Sequence, residues 1–115
     1  MKKFVIERKI EGVGRMNDRE LSGAAATSNK ALAQLAPKVQ WVHSYVAADR
    51  TFCIYLAEEE SQVHEHARIS GFPATRVFEV LTMIDPTTER RGGNMTTMMR
   101  QVRDRQRSAS TGAAA

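Results

Sequence analysis

Residues 39–57 read VQWVHSYVAADRTFCIYLA, and this stretch decides the fold. Two runs rich in Val, Tyr, Phe and Ile, residues Val39–Ala47 and Thr51–Ala57, flank a break at Ala48-Asp49. β-Branched and aromatic residues in runs of this length favour strands, and so short a separation makes the pair a hairpin. Alternation along the first run places Trp41, His43 and Tyr45 on one face.

Working outward, the chain before the hairpin holds one more strand and a helix. Lys3–Lys9 (KFVIERK) opens with strand-favouring residues, and Gly12 and Gly14 punctuate the loop behind it. Asn17-Asp18-Arg19-Glu20 has the form of a capping box, and Leu21, Ala25, Ser28, Leu32 and Leu35 then recur at helical spacing until Pro37. After the hairpin, Glu58, Glu59 and Glu60 place negative charge where a helix N-terminus favours it, and Gly71 and Pro73 end that helix. Val77–Ile84 reads as the last strand, closed by Asp85-Pro86. The order β-α-β-β-α-β predicts an α+β ferredoxin-like sandwich, with a four-stranded antiparallel sheet and both helices on one face. The other face would be open and partly apolar, which predicts a homodimer of the dimeric α+β barrel type.

The 115 residues make one domain, with 42% hydrophobic and 26% charged residues, ordinary values for a globular protein. Cys53 is the single cysteine, which excludes an intrachain disulfide and points to a reducing compartment. No run approaches the ~18 apolar residues of a membrane span, and residues 1–30 lack the apolar stretch of a signal peptide, so a cytoplasmic protein without a membrane partner is expected. The formal net charge of +4 is unevenly placed. Residues 1–88 carry 11 Lys+Arg against 11 Asp+Glu, whereas residues 89–115 carry 6 Arg against Glu89 and Asp104. Nucleic acid is therefore not expected to bind the 1–88 domain, and only the basic tail, residues 89–115, is suited to it. The Ser/Ala/Gly composition of that tail predicts disorder. Within it Met95, Met98, Met99 and Val102 form a narrow apolar stripe, which makes a short helix near 94–107 the alternative to a mostly unfolded tail.

Chemistry-bearing residues are few. His64-Glu65-His66 is not a chelate on a helix, because residues two apart point about 200° from one another. His66 shares the inner stripe with Val63, Ala67 and Ser70, while His64 falls on the solvent side. Glu7 is a carboxylate in the middle of an apolar strand that this fold makes central, so it needs a cationic partner or a metal. Cys53 falls on the strand beside it. A buried structural role accounts for each of His43, His66 and Cys53 taken singly. Together His43, His66, Glu7 and Cys53 form a nitrogen, oxygen and sulfur set suited to nickel, zinc or copper, at spacings that match no recognised chelate motif. Gly12 and Gly14 make only a lone G-x-G, so no phosphate-cradling loop is present. A Cys53–His43 nucleophile pair would need both side chains on one face, and hairpin pairing separates them.

Phe4-Val5-Ile6-Glu7-Arg8, Val39–Val46, Phe52-Cys53-Ile54-Tyr55, Glu65-His66-Ala67-Arg68, Gly71-Phe72-Pro73-Ala74 and Ile84-Asp85-Pro86-Thr87-Thr88 resemble, in that order, a family of small bacterial nickel-binding proteins. The resemblance covers residues 3–88. It implies a ferredoxin-like homodimer that binds Ni²⁺ with no established catalytic reaction, and it matches the family's polar positions at Glu7, His43, Tyr45, Cys53, Glu65 and His66. The arginine-rich extension after Glu89 lies outside the family pattern.

The leading expectation is thus a homodimer that binds a divalent transition metal, nickel first with zinc or copper as alternatives, for storage, buffering or sensing. His43 and His66 would supply imidazoles, and Glu7 and Cys53 would complete the set. In this fold the second helix packs away from the edge strand that carries His43. Ligands from two subunits, or two separate sites, would resolve that distance. A small-molecule enzyme of the monooxygenase, isomerase or decarboxylase kind is the second expectation, marked by a cleft lined by His43, Tyr45 and Tyr55. An interaction module using the tail is the third.

Overall fold

The structure is a computed structural model and describes residues 1–90 and 101–106. Its elements are β1 (Lys2–Lys9), a 3₁₀ turn (Val13–Arg15), α1 (Asp18–Leu35), β2 (Val39–Val46), β3 (Arg50–Ala57), α2 (Glu60–Ser70), β4 (Arg76–Val80) and a second 3₁₀ turn (Pro86–Arg90). The four strands form one antiparallel sheet in the order β2-β3-β1-β4, the ferredoxin-like α+β arrangement expected from the element order. The chain divides into two compact units, Met1–Leu81 and Thr82–Ala115. Residues 101–106 are helical and exposed, and Met95, Met98 and Met99 of the tail stripe lie outside the described residues. Among the described residues no helix is long and apolar enough to cross a membrane.

Local chemistry explains where the elements begin and end. Asn17 Oδ1 accepts from the Glu20 backbone N–H at 2.9 Å, and Glu20 Oε1 accepts from the Asn17 N–H at 3.2 Å. That reciprocal pair satisfies two of the donors a helix start leaves open. Gln62 Oε1 accepts from the backbone N–H of both Glu58 and Glu59. The helix therefore begins at Glu60, two residues later than the acidic run suggests. Gly71 closes α2 in the left-handed region at φ 81°, a conformation that favours glycine. β4 ends at Val80 rather than Ile84, because its partner β1 runs out: Lys3 pairs with Val80, and β1 begins one residue earlier.

The two faces of the sheet carry different chemistry. Phe4, Ile6, Val39, Cys53, Tyr55 and Ala57 point to one side and form the core with Val63 of α2. Ser28 and Ala31 of α1 and Val63, His66 and Ala67 of α2 are the buried helix positions. We call this the inner face. Lys3, Val5 and Glu7 alternate onto the outer face and share it with Phe52, Ile54 and Leu56 of β3 and with Arg76, Phe78 and Val80 of β4.

Strand alternation does not hold through β2. Trp41 pairs with Tyr55, whereas His43 pairs with Ile54, so a bulge inserts Val42 between them. One extra residue switches faces for everything that follows it. Trp41 is thereby inner and stacks on Tyr55 with centroids 6.4 Å apart. His43 and Tyr45 are outer and meet edge to face at 5.0 Å. The expectation that Trp41, His43 and Tyr45 share a face is corrected accordingly. Ser44, displaced inward, accepts from Trp41 Nε1 at 2.9 Å.

Candidate functional site

The four expected metal ligands divide two and two across the sheet. Cys53 and His66 are inner and buried; Glu7 and His43 are outer. On the outer face Glu7 and His43 stand on β1 and β2 with β3 between them, about 10 Å apart in the strand-to-strand direction alone. Among the described residues no group of three or more His, Cys, Asp or Glu side chains is placed to hold a metal ion. The four therefore do not form one ligand set within a subunit. The bulge also keeps Cys53 and His43 on opposite faces, so no Cys–His nucleophile pair forms.

Each donor has its own surroundings, and these decide what it can do. Glu7 is buried, and both its carboxylate oxygens are engaged: Arg50 Nη1 donates to Oε1, and Arg76 Nε lies 3.8 Å from Oε2. The central-strand carboxylate is thus neutralised by two arginines. A metal at Glu7 would have to displace them. His43 is exposed on the sheet edge, with Tyr45 beside it. His64 is on the solvent side of α2, as its helical phase implied, and meets Glu60 Oε2 at 3.0 Å. Glu65 pairs with Arg68 on the same helix, which holds its carboxyl below the usual carboxylate range.

The inner face holds a polar cluster inside the core. Ser28 Oγ lies 3.2 Å from both the Tyr55 hydroxyl and His66 Nε2. The Tyr55 and His66 rings pack with centroids 4.9 Å apart. His66 is fully buried, and its Nδ1 has no hydrogen-bond partner. Burial, followed by the nearby Arg8 charge, pushes the His66 imidazole below its ordinary pKa, so it is held neutral. Burial likewise raises the Tyr55 phenol.

Arg8 is the residue that the sequence reading passed over. Phe4, Ile6 and Arg8 fall on one face by alternation, so a cation stands where the pattern asks for a core residue. It is 2% exposed. Its Nη1 donates to the Pro73 carbonyl at 2.8 Å and approaches the Phe72 carbonyl at 3.4 Å. The Tyr55 and Phe72 rings flank the guanidinium at 5.9 and 5.8 Å. Arg8 also bears on the metal question. A divalent ion at Cys53 or His66 would sit beside a buried positive charge, where low dielectric makes repulsion strong. The inner face does not fit a metal; on the outer face His43 is the exposed imidazole.

A cavity of about 350 Å³ lies on the inner side of the sheet, lined by Arg8, Ser28, Trp41 and Tyr55 and by residues of the Ile10–Met16 loop and α1. The cleft expected at His43, Tyr45 and Tyr55 is thus not the one present. Of the three only Tyr55 lines this cavity, because the bulge sends His43 and Tyr45 to the other face.

Comparison with known proteins gives one family and one structure. The model of the SCO4226-like family, described as nickel responsive proteins, matches residues 4–80. The crystal structure of SCO4226 from Streptomyces coelicolor A3(2) superposes with a TM-score of 0.60 at 14% identity, covering 71% of this chain and 99% of that one. At that identity the likeness speaks for the fold alone. No curated protein matches the chain.

Proposed function

The chain belongs to the SCO4226-like family of nickel responsive proteins, and from that premise we propose that it binds a divalent transition metal, nickel before zinc or copper, as a homodimer. The observation that carries the proposal is the position of His43. It is an exposed imidazole on an open sheet face that also presents Tyr45 and Phe78, which are 61% and 52% exposed. Val5, Phe52 and Ile54 are half-buried on the same face. An apolar surface of this kind is what a second copy covers. Two-fold symmetry then brings the partner's outer face, with its own donors, against each His43. Nickel accepts imidazole nitrogen together with oxygen ligands, and water can fill the remaining positions.

Glu7 serves this site at one remove. Held by Arg50 and Arg76, it offsets part of the positive charge that they bring to the outer face, and release of either arginine would free an oxygen for the ion. Cys53 and His66 are left to the core. The reading is a binding or sensing role, with metal occupancy linked to dimer formation through the shared face. A ligand nitrogen must be unprotonated, so protons compete with the ion for His43.

Calorimetric titration of tag-free, metal-stripped protein with Ni²⁺ tests the proposal. The wild type should bind, His43→Ala should lose at least tenfold in affinity, and His66→Gln should not. Unchanged affinity in His43→Ala would remove the outer-face site.

A further inference from the structure

Arg8 is a charged side chain in the core, and among the described residues no carboxylate pairs with it. Every salt bridge of the described residues involves other groups: Glu7 with Arg50 and Arg76 on the outer face, and the remainder near the N-terminus or along α2. Backbone carbonyls occupy Nη1, while Nη2 is buried without a hydrogen-bond partner. Buried charges are ordinarily paired, since desolvation without compensation is strongly unfavourable. Arg8 instead lines the inner cavity.

The rest of that cavity is mostly hydrocarbon. Ile10, Val13, Met16, Leu21, Trp41 and Phe72 supply most of its wall. Hydroxyl groups come from Ser28, Ser44, Thr51 and Tyr55, of which Ser28 and Tyr55 already bond to one another and Ser44 accepts from Trp41. Small-molecule sites combine an apolar enclosure with a few fixed polar groups, and about 350 Å³ is at the small end of their range.

We propose that this cavity binds a small apolar monocarboxylic acid, with its carboxylate on the Arg8 guanidinium and its hydrocarbon body between α1, the Ile10–Met16 loop and the sheet. Charge selects an anion, because the site offers a guanidinium and no acidic side chain. The wall selects an apolar body. Nη1 is held by the Pro73 and Phe72 carbonyls, so the full guanidinium fork is not free for the carboxylate. A single available cationic group and an apolar surround fit a monoanion better than a phosphate, which would leave charged oxygens without donors. The site is independent of the nickel reading, since it is on the other face of the sheet from His43.

The experiment titrates the full chain with phenylacetate, hexanoate and octanoate, with phenylacetamide and inorganic phosphate as comparisons. Binding is followed by calorimetry and by the change in Trp41 fluorescence, the chain's single tryptophan. At least one of the carboxylates should bind tenfold or more tightly than the amide and than phosphate. Arg8→Met removes the charge while keeping an unbranched apolar side chain, and should abolish carboxylate binding while the fold, read by circular dichroism, is retained. Ala25→Leu, which projects into the cavity from α1, provides a second variant that leaves Arg8 in place and should weaken binding at least tenfold. No binding of any of the three acids at millimolar concentration overturns the proposal. So does equal binding of acid and amide, equal or tighter binding of phosphate, or carboxylate affinity that survives Arg8→Met.

Discussion

Ser28→Ala removes one oxygen atom from the core, yet the structure predicts a large loss of stability. Ser28 Oγ is the shared partner of the Tyr55 hydroxyl and His66 Nε2, each at 3.2 Å, and all three residues are buried. Without it the Tyr55 hydroxyl loses its hydrogen bond, and His66, whose Nδ1 is already unpartnered, has none left. A buried polar group left unsatisfied costs about 1–3 kcal/mol, and with some relaxation of the core around the two orphaned groups a combined loss of about 2–4 kcal/mol is expected. For a unit of this size each kcal/mol moves the midpoint by about 4–8 °C, which puts the fall in Tm on the order of 10–30 °C. Urea unfolding followed by circular dichroism measures the free energy directly, and Tyr55→Phe supplies the control. Deleting the phenol removes one of the two groups that Ser28→Ala would orphan. The double variant should therefore be less destabilised than the sum of the single variants, by about 0.5–3 kcal/mol. A Ser28→Ala loss under about 0.5 kcal/mol, or strict additivity with Tyr55→Phe, would refute the reading of these residues as one hydrogen-bonded unit.

Four further outcomes follow from the same structure. His66 is held neutral, with a folded pKa below its ordinary 6.5, so the unfolded chain binds more protons than the native one just below that pH. Stability should fall as pH drops through about 6.5 toward the lower native value, and His66→Gln should flatten that slope in urea midpoints taken between pH 5 and 8. Gly14→Ala would place its Cβ 2.7 Å from the Ala47 carbonyl oxygen and 2.8 Å from Ala48 Cα, contacts the backbone cannot yield cheaply. A loss of about 1–3 kcal/mol is expected in urea unfolding. Gly23→Ala, in α1 with open space around it, should gain about 0.5–1 kcal/mol in the same assay. Glu7→Gln leaves Arg50 and Arg76 without a carboxylate on the outer face and should lower stability by about 1–3 kcal/mol, an effect that added salt reduces but does not erase, since Glu7 is buried.

The order of elements was legible because each has a local cause. Asn17 and Glu20 close a capping box, Gly71 takes the left-handed conformation that stops α2, and the hairpin runs are strongly strand-forming. The faces of the sheet were legible only where alternation is unbroken. On β1 it correctly separates Ile6 from Glu7. On β2 the bulge at Val42 is invisible in composition, because a valine suits a bulge and a regular strand position equally well, and it moved His43 and Tyr45 away from Trp41. Glu7 announced its need for a partner, but Arg50 and Arg76 became its neighbours only through strand register. Ser28 looked like an ordinary member of the inner helical stripe, and its link to Tyr55 and His66 spans 27 and 38 residues of chain. Arg8 did carry a signal. The run Phe4, Ile6, Arg8 places a cation at a core position, and that pattern asks for a buried partner as directly as Glu7 does.

The membership of the family and the open outer face meet in one claim, that nickel is bound by a dimer through His43. Native mass spectrometry of tag-free, metal-stripped protein, recorded during Ni²⁺ addition for the wild type and for His43→Ala, tests it most directly. Nickel should appear on the dimer and not on the monomer, and should disappear in His43→Ala while a dimer peak remains. Nickel carried by the monomer, nickel retained without His43, or a protein that takes up no nickel would contradict the account.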